Sequence, residues 1–454
     1  MSKERGSEEL GQQPVGSLLF KYALPAVIAM TASSLYNIID RIFIGQGVDA
    51  LAISGLAITF PIMNLSVAFS TLIGAGAAAM VSIRMGQKRQ DEAIHILGNA
   101  FILSIVISIV FAALTLYYLD DLLLLFGASK DTLPYAKDFM QIILMTNVIP
   151  FLLFGLNNIM RASGHPTKAM ISILLTVGIN VILAPIFIFV FHWSIKGAAW
   201  ATVIAQFTGM CWVLVHFVHK KHYVHFVISR FRLSEKIILD IIAVGISPFM
   251  IHAMACIITI LINLQLVHFG GDLAVGSYGI INCVTSLIVM VILGLTQGMQ
   301  PIVGYNFGAE KMDRVIKTLK LTILWSTGIS TLGFFLAELF PTHIAHAFTI
   351  DPTMIQLTSQ GLIISMIAFP IVGFQIVASN FFQAIGKAKL AIFNSLSRQL
   401  LFLIPLLFIF PIFWELNGVW ISIAISDCIA SLVSTLLLVL FLKKVKKGEI
   451  ITVR

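Results

Sequence analysis

Twelve apolar stretches, each long enough to cross a bilayer and each bounded by polar or charged residues, run through this chain. They lie near residues 18–39, 50–78, 93–118, 134–160, 166–190, 195–219, 236–266, 274–302, 315–340, 357–383, 390–412 and 418–443. A helix crossing the hydrocarbon core needs about 20 mostly apolar residues. Lipid offers the backbone no hydrogen bonds, so a spanning segment must satisfy its own, as a helix does. The pattern predicts an all-α membrane protein of twelve transmembrane helices. Charged residues make up 11% of the 454, against about 25% in soluble domains, too few to cover a water-facing surface. The first run is too long and too poorly flanked for a cleaved signal, so it is expected to remain as helix 1.

The placement of charge gives an orientation. With an even number of spans both termini share one face. That face carries 24 of the 29 Lys and Arg, in clusters such as Arg84/Lys88/Arg89, Lys311/Arg314/Lys317/Lys320 and Lys443/Lys444/Lys446/Lys447. The opposite face has Arg41, Lys130, Lys137 and Lys196, and Arg398 falls inside a span. Positive loops stay inside, so both termini are expected in the cytoplasm. The same asymmetry accounts for the net charge of +8 without nucleic acid. Cys211, Cys256, Cys283 and Cys428 each sit in an apolar stretch and none forms a CxxC, so neither a disulfide framework nor a metal site is expected.

A hydrophilic connection over about 219–236 divides the chain into two six-helix halves, an N-lobe of residues 1–222 and a C-lobe of 223–454. The halves repeat. A shift of 223 aligns Pro25 with Pro248, Gly47 with Gly270, Asp49 with Asp272 and Ser54 with Ser277. A shift of 222 aligns Gly86 with Gly308, Asp91 with Asp313 and RASG (161–164) with QAIG (383–386), and a shift of 221 aligns Gly197 with Gly418. Each pair is weak, but their collinearity is not. Six helices per copy give both copies one orientation, the arrangement in which two lobes can rock around a midline site in alternating access.

Several segments resemble the multidrug and toxic compound extrusion (MATE) family: YNIIDRIFIG (36–45), GINVILAPIFIF (178–189), KGAAWATVIAQ (196–206), and the loops RMGQKRQDEA (84–93) and YNFGAEKMDRV (305–315). The resemblance covers essentially the whole chain. It implies a bacterial cytoplasmic (inner) membrane antiporter that exports small amphipathic, often cationic, compounds in exchange for H+ or Na+. It implies no cofactor beyond the transported cation, small-molecule substrates and the bilayer as partners, and action as a monomer. Two departures stand out. The family often carries an acid where this chain has Ala184, and one bacterial branch has an acid on helix 7, where Asn263 and Gln265 stand here.

Asp40 closes helix 1, and acids inside a bundle are costly enough to be functional candidates. Tyr36 and Asn37 lie one turn before it on the same helical face. The bland alternative is an acid at the outer interface paired with Arg41. Asn180 and Thr202 match family positions that approach the helix 1 acid, making Asp40, Tyr36, Asn180 and Thr202 the candidate cation-coupling set. Asn157, Asn158, Gln206 and Asn263 are candidate cavity residues together with Asn37 and Asp427, although polar residues in helices often serve only as interhelical glue. Asp427, about ten residues into helix 12, is either a second site or the partner of Arg398, and pairing is the cheaper arrangement for buried charge. Pro25 and Pro248 interrupt helices 1 and 7 at equivalent places and are candidate hinges. His216, His219, His222 and His225 recur every third residue beside Lys220 and Lys221 and read as an interfacial basic segment.

The chain lacks GxxxxGK[ST], the kinase motifs, HExxH and DDxxD, which argues against ATP-driven pumping and against a membrane protease or prenyl transferase. A flippase for a lipid-linked sugar could share the duplicated architecture, but its cavity needs Arg or Lys for pyrophosphate, and Arg398 is the main one available. A membrane-embedded enzyme would need a catalytic polar cluster, and the sequence presents none. The charge asymmetry yields a direct test: a C-terminal fluorescent reporter that matures only in the cytoplasm should be bright, whereas an active periplasm-dependent phosphatase fusion at the same position would overturn the orientation.

Overall fold

The computed structural model describes the backbone of residues 5–47, 50–126, 128, 130, 132–227, 231–348 and 352–446, and their side chains apart from 5–8, 35–42, 44–47, 50–54, 57, 256, 272 and 446. All regular structure among them is helical. The first half runs α1 (Arg5–Gln12), α2 (Val15–Gly47), α3 (Ala50–Gly86), α4 (Gln90–Tyr117), α5 (Leu119–Leu125), α6 (Leu133–Met145), α7 (Val148–Ala162), α8 (Pro166–Pro185) with a π-helical turn at Ile186–Val190, and α9 (Ser194–Val218). The second runs α10 (Glu235–Gly308), α11 (Met312–Leu339), α12 (Pro341–His346), α13 (Pro352–Met366), α14 (Phe369–Ala384), α15 (Ala388–Leu396) with a π-helical turn at Ser397–Leu403, and α16 (Ile404–Lys446).

Among the described residues nine helices can cross a membrane, or eleven when two bent pairs each count as one span. The longest, Ala388–Val445, has 58 residues and at 1.5 Å per residue would reach about 87 Å, far beyond one bilayer. Its backbone leaves the helix at Trp414 and at Glu415, whose φ is 47°, so it divides into the two spans expected over 390–412 and 418–443. Likewise α10 breaks at Gly271 (φ 65°), a conformation glycine adopts without a Cβ clash. The twelve expected spans are thus accounted for.

Two spans differ from their sequence outline. The fourth, expected as one helix over 134–160, bends by 57° between α6 and α7, and the tenth, expected over 357–383, bends by 55° between α13 and α14. In each a proline, Pro150 or Pro370, lies near the start of the second piece. Its ring has no N–H and collides with the carbonyl four residues before it, which is that of Thr146 or Met366, at the break itself.

The repeat is written in the breaks. The spans α4 and α11 have 28 residues each and begin at Gln90 and Met312. The short helices α5 and α12 begin at Leu119 and Pro341, and α8 and α15 at Pro166 and Ala388. Left-handed residues recur at Lys88 and Glu310 and at Gly164 and Gly386. All these pairs share the offset of 222 read from the sequence. Buried Ser104 and Ser108 of α4 are matched by Ser326 and Ser330 of α11 at the same offset, keeping a seam of small side chains in both copies.

Contacts group the chain into two compact units: Met1–Gln13, Ile28–His252 and Gly304–Ala309 in one, and Pro14–Val27, Ala253–Val303 and Glu310–Arg454 in the other. Within the first, glycines bring backbones together. A Cβ on Gly86 would lie 1.9 Å from the Tyr305 carbonyl oxygen and one on Gly308 2.0 Å from that of Ile83; Gly76 faces Ile241 and Gly245 faces Leu72 in the same reciprocal way. This is why α3 runs on past the sequence limit at 78, with Val81, Ile83 and Met85 almost fully buried: its last turns pack on protein. In the second unit Gly294 and Gly298 admit Val27 and Ala23, whose nearest atoms would lie 2.6 and 2.5 Å from an added Cβ. Small residues are what permits such approach between helices in lipid. The chain passes between units just after Pro25 and just after Pro248.

Because backbone cannot give way as a flexible side chain can, Gly86→Val or Gly308→Val should cost about 1–3 kcal/mol or more. Gly178→Ala, where nothing lies within 4 Å, should leave the melting temperature of the detergent-solubilised protein unchanged or slightly raised. Equal melting temperatures for all three variants would contradict the packing account.

Candidate functional site

Between α8 and α9 two of the four predicted coupling residues, Asn180 and Thr202, meet. Asn180 is 2% and Thr202 6% exposed. The Asn180 Nδ2 donates to Thr202 Oγ1 at 3.0 Å, and Thr202 Oγ1 donates to the Ala198 carbonyl one turn back, also at 3.0 Å. The helices come this close because α9 presents alanine and glycine here: Ala198, Ala201 and Ala205 are fully buried, and a Cβ on Gly209 would lie 2.2 Å from Thr176 Oγ1. One turn beyond Asn180, Ala184 is completely buried, so a methyl group occupies the place where the family pattern often has a carboxylate. Gln206, one turn beyond Thr202, is half-buried. The side chains of Tyr36, Asn37 and Asp40 lie outside the described residues, so the relation of this pair to the helix 1 acid rests on the sequence.

Other polar candidates are already engaged. Asn157 Nδ2 donates to the Ala169 carbonyl (2.8 Å) and to Ser172 Oγ (2.6 Å), tying α7 to α8. Asn158 Oδ1 accepts from Nη2 of the buried Arg161. Asn263, half-buried, stands among Ile260, Leu264, Val267 and His268 in a shallow apolar groove. Asp427, 3% exposed, pairs with Arg398: its Oδ1 is 2.5 Å from the Arg398 Nε, and the Arg398 side chain keeps a third of its surface exposed. Of the two roles weighed for Asp427, the geometry displays the ion pair. Arg398 sits in the π-helical turn Ser397–Leu403, a widened turn of the kind often found at functional positions in helices.

The described structure also joins residues the sequence kept apart. His165, at the head of α8, meets His216 and His222, with one ring nitrogen from each within 4.8 Å of the others. The every-third-residue rhythm drew attention to His216, His219, His222 and His225, but nothing local links His165 to them.

A protein-family model, MatE, matches residues 25–186 and 248–409. The chain belongs to the MatE family. The two matched stretches lie 223 residues apart, so each covers one copy of the repeat. The multidrug export protein MepA of Staphylococcus haemolyticus (strain JCSC1435) is 27% identical over 413 residues, 91% of each chain. MepA of Staphylococcus aureus (strain NCTC 8325 / PS 47) is 26% identical over 436 residues, 94% of each. In fold the chain matches a MATE transporter crystallised in the bent conformation, with a TM-score of 0.92, 23% identity and coverage of 98% of this chain and 99% of the other. It also matches a MOP superfamily transporter from Pyrococcus furiosus, with a TM-score of 0.90, 23% identity and coverage of 98% and 99%. MatE proteins are transporters, not enzymes, and this member is a multi-pass membrane protein of two pseudo-symmetric six-helix lobes.

The unequal exposure of the MatE protein's buried ion pair gives a graded prediction. Arg398→Met strands the Asp427 carboxylate in the interior and should destabilise by about 3 kcal/mol, in keeping with the cost of breaking buried pairs. Asp427→Asn leaves an Arg whose side chain is a third uncovered and long enough to carry its charge toward the membrane interface, and should cost less, while Arg398→Met with Asp427→Leu should recover much of the loss. Thermal unfolding of the three variants checks this order; equal losses from both single variants would refute it.

Proposed function

We propose that this MatE protein is a secondary-active antiporter of the bacterial cytoplasmic membrane that exports small amphipathic, cationic compounds by alternating access, with both termini in the cytoplasm. What carries this reading is the near-full-length similarity to proteins named as multidrug exporters, on a chain whose duplicated halves suit alternating access. The division into lobes 1–222 and 223–454 belongs to the same reading, with Pro25 and Pro248 as hinges. Support for the hinges comes from the passage of the chain between compact units within a few residues of each proline. Arg398, the main basic residue that could hold a pyrophosphate, is committed to Asp427, which favours an exporter over a lipid-linked sugar flippase.

Coupling is assigned to Asp40, with Tyr36, Asn180 and Thr202 around it, and protons are favoured over sodium. Sodium, a hard cation, wants several oxygen ligands, and α8 offers the buried methyl of Ala184 in place of a carboxylate. A single carboxyl suffices for a proton. When two conformations hold that proton with different affinity, loading and release shift their populations by the difference. Asn37, Asn157, Asn158, Gln206 and Asn263 remain candidates for the substrate path.

Asp40→Asn keeps the size of the side chain and removes its titration. In liposomes with an imposed pH gradient it should lower uphill efflux of a fluorescent cation at least tenfold at equal protein content, while substrate binding persists. Wild-type efflux by this variant would move coupling elsewhere, and efflux driven by a sodium gradient at equal pH on both sides would overturn the choice of proton.

A further inference from the structure

The fold sorts the four histidines that follow one another at the end of α9. After Val218 the chain turns back, with the Phe226 N–H donating to the Phe217 carbonyl at 2.8 Å, and this folds His222 over the last turn of α9. The ring of His216 stacks on that of His222 with centroids 4.0 Å apart. The tight turn between α7 and α8 delivers His165 to the same spot, its ring 4.6 Å from each of the other two. His219 is exposed, and His225 Nδ1 is bonded to the His222 carbonyl at 3.0 Å, so neither joins the group.

His216 is 4% exposed, and neither of its ring nitrogens has a hydrogen-bond partner. A buried polar atom without a partner is costly and calls for an explanation. The rings packed against His216 are imidazoles and a phenyl, and a metal ion supplies that explanation, because it takes the lone pair that no donor reaches. We propose that His165, His216 and His222 form a binding site for a divalent transition-metal ion of borderline softness, Zn2+ foremost. Imidazole suits such ions, and the all-nitrogen ligand set disfavours Ca2+ and Mg2+, which want oxygen. A tetrahedral ion with Zn–N bonds of about 2.0–2.1 Å holds its ligands about 3.4 Å apart, so the nitrogens draw in from their present spread of up to 4.8 Å by small ring rotations. Three protein ligands leave a fourth position for water or an anion.

The surroundings act in two directions. Burial, then His222 and Lys168, push His165 down to about 4, against a hydrogen bond to the Ser163 backbone. Burial, then Lys168, His219 and His225, also lower His222. Both rings are therefore neutral at pH 7, the form that can ligate a metal. Lys168 opposes the ion: its Nζ stands 3.5 Å from His222 Nε2 and must swing away when the metal binds. An occupied site clips the α7–α8 turn, the end of α9 and the chain beyond it into one piece.

The test uses full-length protein without a polyhistidine tag, purified in detergent and stripped with a chelator. Co2+ should bind at one equivalent with the intense visible absorption of a tetrahedral site, and Zn2+ should displace it. His216→Ala, His165→Asn and His222→Ala should each weaken Zn2+ binding at least tenfold, His219→Ala should leave it unchanged, and Lys168→Gln should tighten it several-fold. Should His216→Ala fail to fold, the half-buried His165 and His222 variants decide. Binding that survives loss of His165 and His222, falls equally with His219→Ala, or is absent from the wild-type protein overturns the site.

Discussion

Everything in this molecule follows from the lack of hydrogen-bonding solvent in the bilayer core. Each backbone N–H and C=O must find its partner within its own helix, so the chain becomes a series of helices whose association cannot draw on the hydrophobic effect. Close packing holds them together instead. The reciprocal approaches of Gly86 to Tyr305 and Gly308 to Ile83, and of Gly76 to Ile241 and Gly245 to Leu72, are points where a methyl group would collide with backbone. The serine seams of α4 and α11 serve the same end, their hydroxyls bonded back to their own helix, as Ser108 to Ile105 and Ser326 to Ile323. They present small side chains to a neighbour while their polar atoms stay satisfied.

The same constraint explains how polar groups are rationed. Several buried amides and charges are put to specific use. Asn157 ties α7 to α8, Asn394 accepts from Ser434 at 2.7 Å, and Asp427 is neutralised by Arg398. His216 stands out because both of its ring nitrogens lack partners, and Ala184 because the family resemblance leads one to expect an acid there. The first underlies the proposed metal site, the second the proposed preference for protons over sodium. Interruptions of the helices are rationed as well. The broken spans fall at Pro150 and Pro370, and the unwound backbone at Gly271 and Glu415.

Duplication gives these choices their consistency. Two copies of a six-helix unit, drifting in sequence until few identities remain, still share helix starts and left-handed caps at an offset of 222, and each bends its fourth span, at Pro150 and at Pro370. A chemical asymmetry is laid over that symmetry: the first copy carries the Asn180–Thr202 pair and the histidine cluster, and the second carries the Arg398–Asp427 pair.

The sequence by itself determined the fold class, the spans, the repeat and the family, because hydrophobic period and loop charge are local properties that lipid reads directly. It flagged Asn180 and Thr202 through their match to family positions, and the Arg398–Asp427 pair because charges inside apolar runs are rare enough to stand out. Only tertiary structure decided which of these residues touch. Asn157 and Asn180 look alike in the sequence, yet one is committed to Ala169 and Ser172 and the other meets Thr202. The bends at Pro150 and Pro370 were legible as prolines but not as breaks, because transmembrane helices often carry proline without ending. His165 was invisible as a partner of His216, for the two are 51 residues apart and are joined only when α8 and α9 pack and the chain after α9 folds back. Side-chain encounters between distant segments depend on helix rotation and loop path, and no local pattern encodes either.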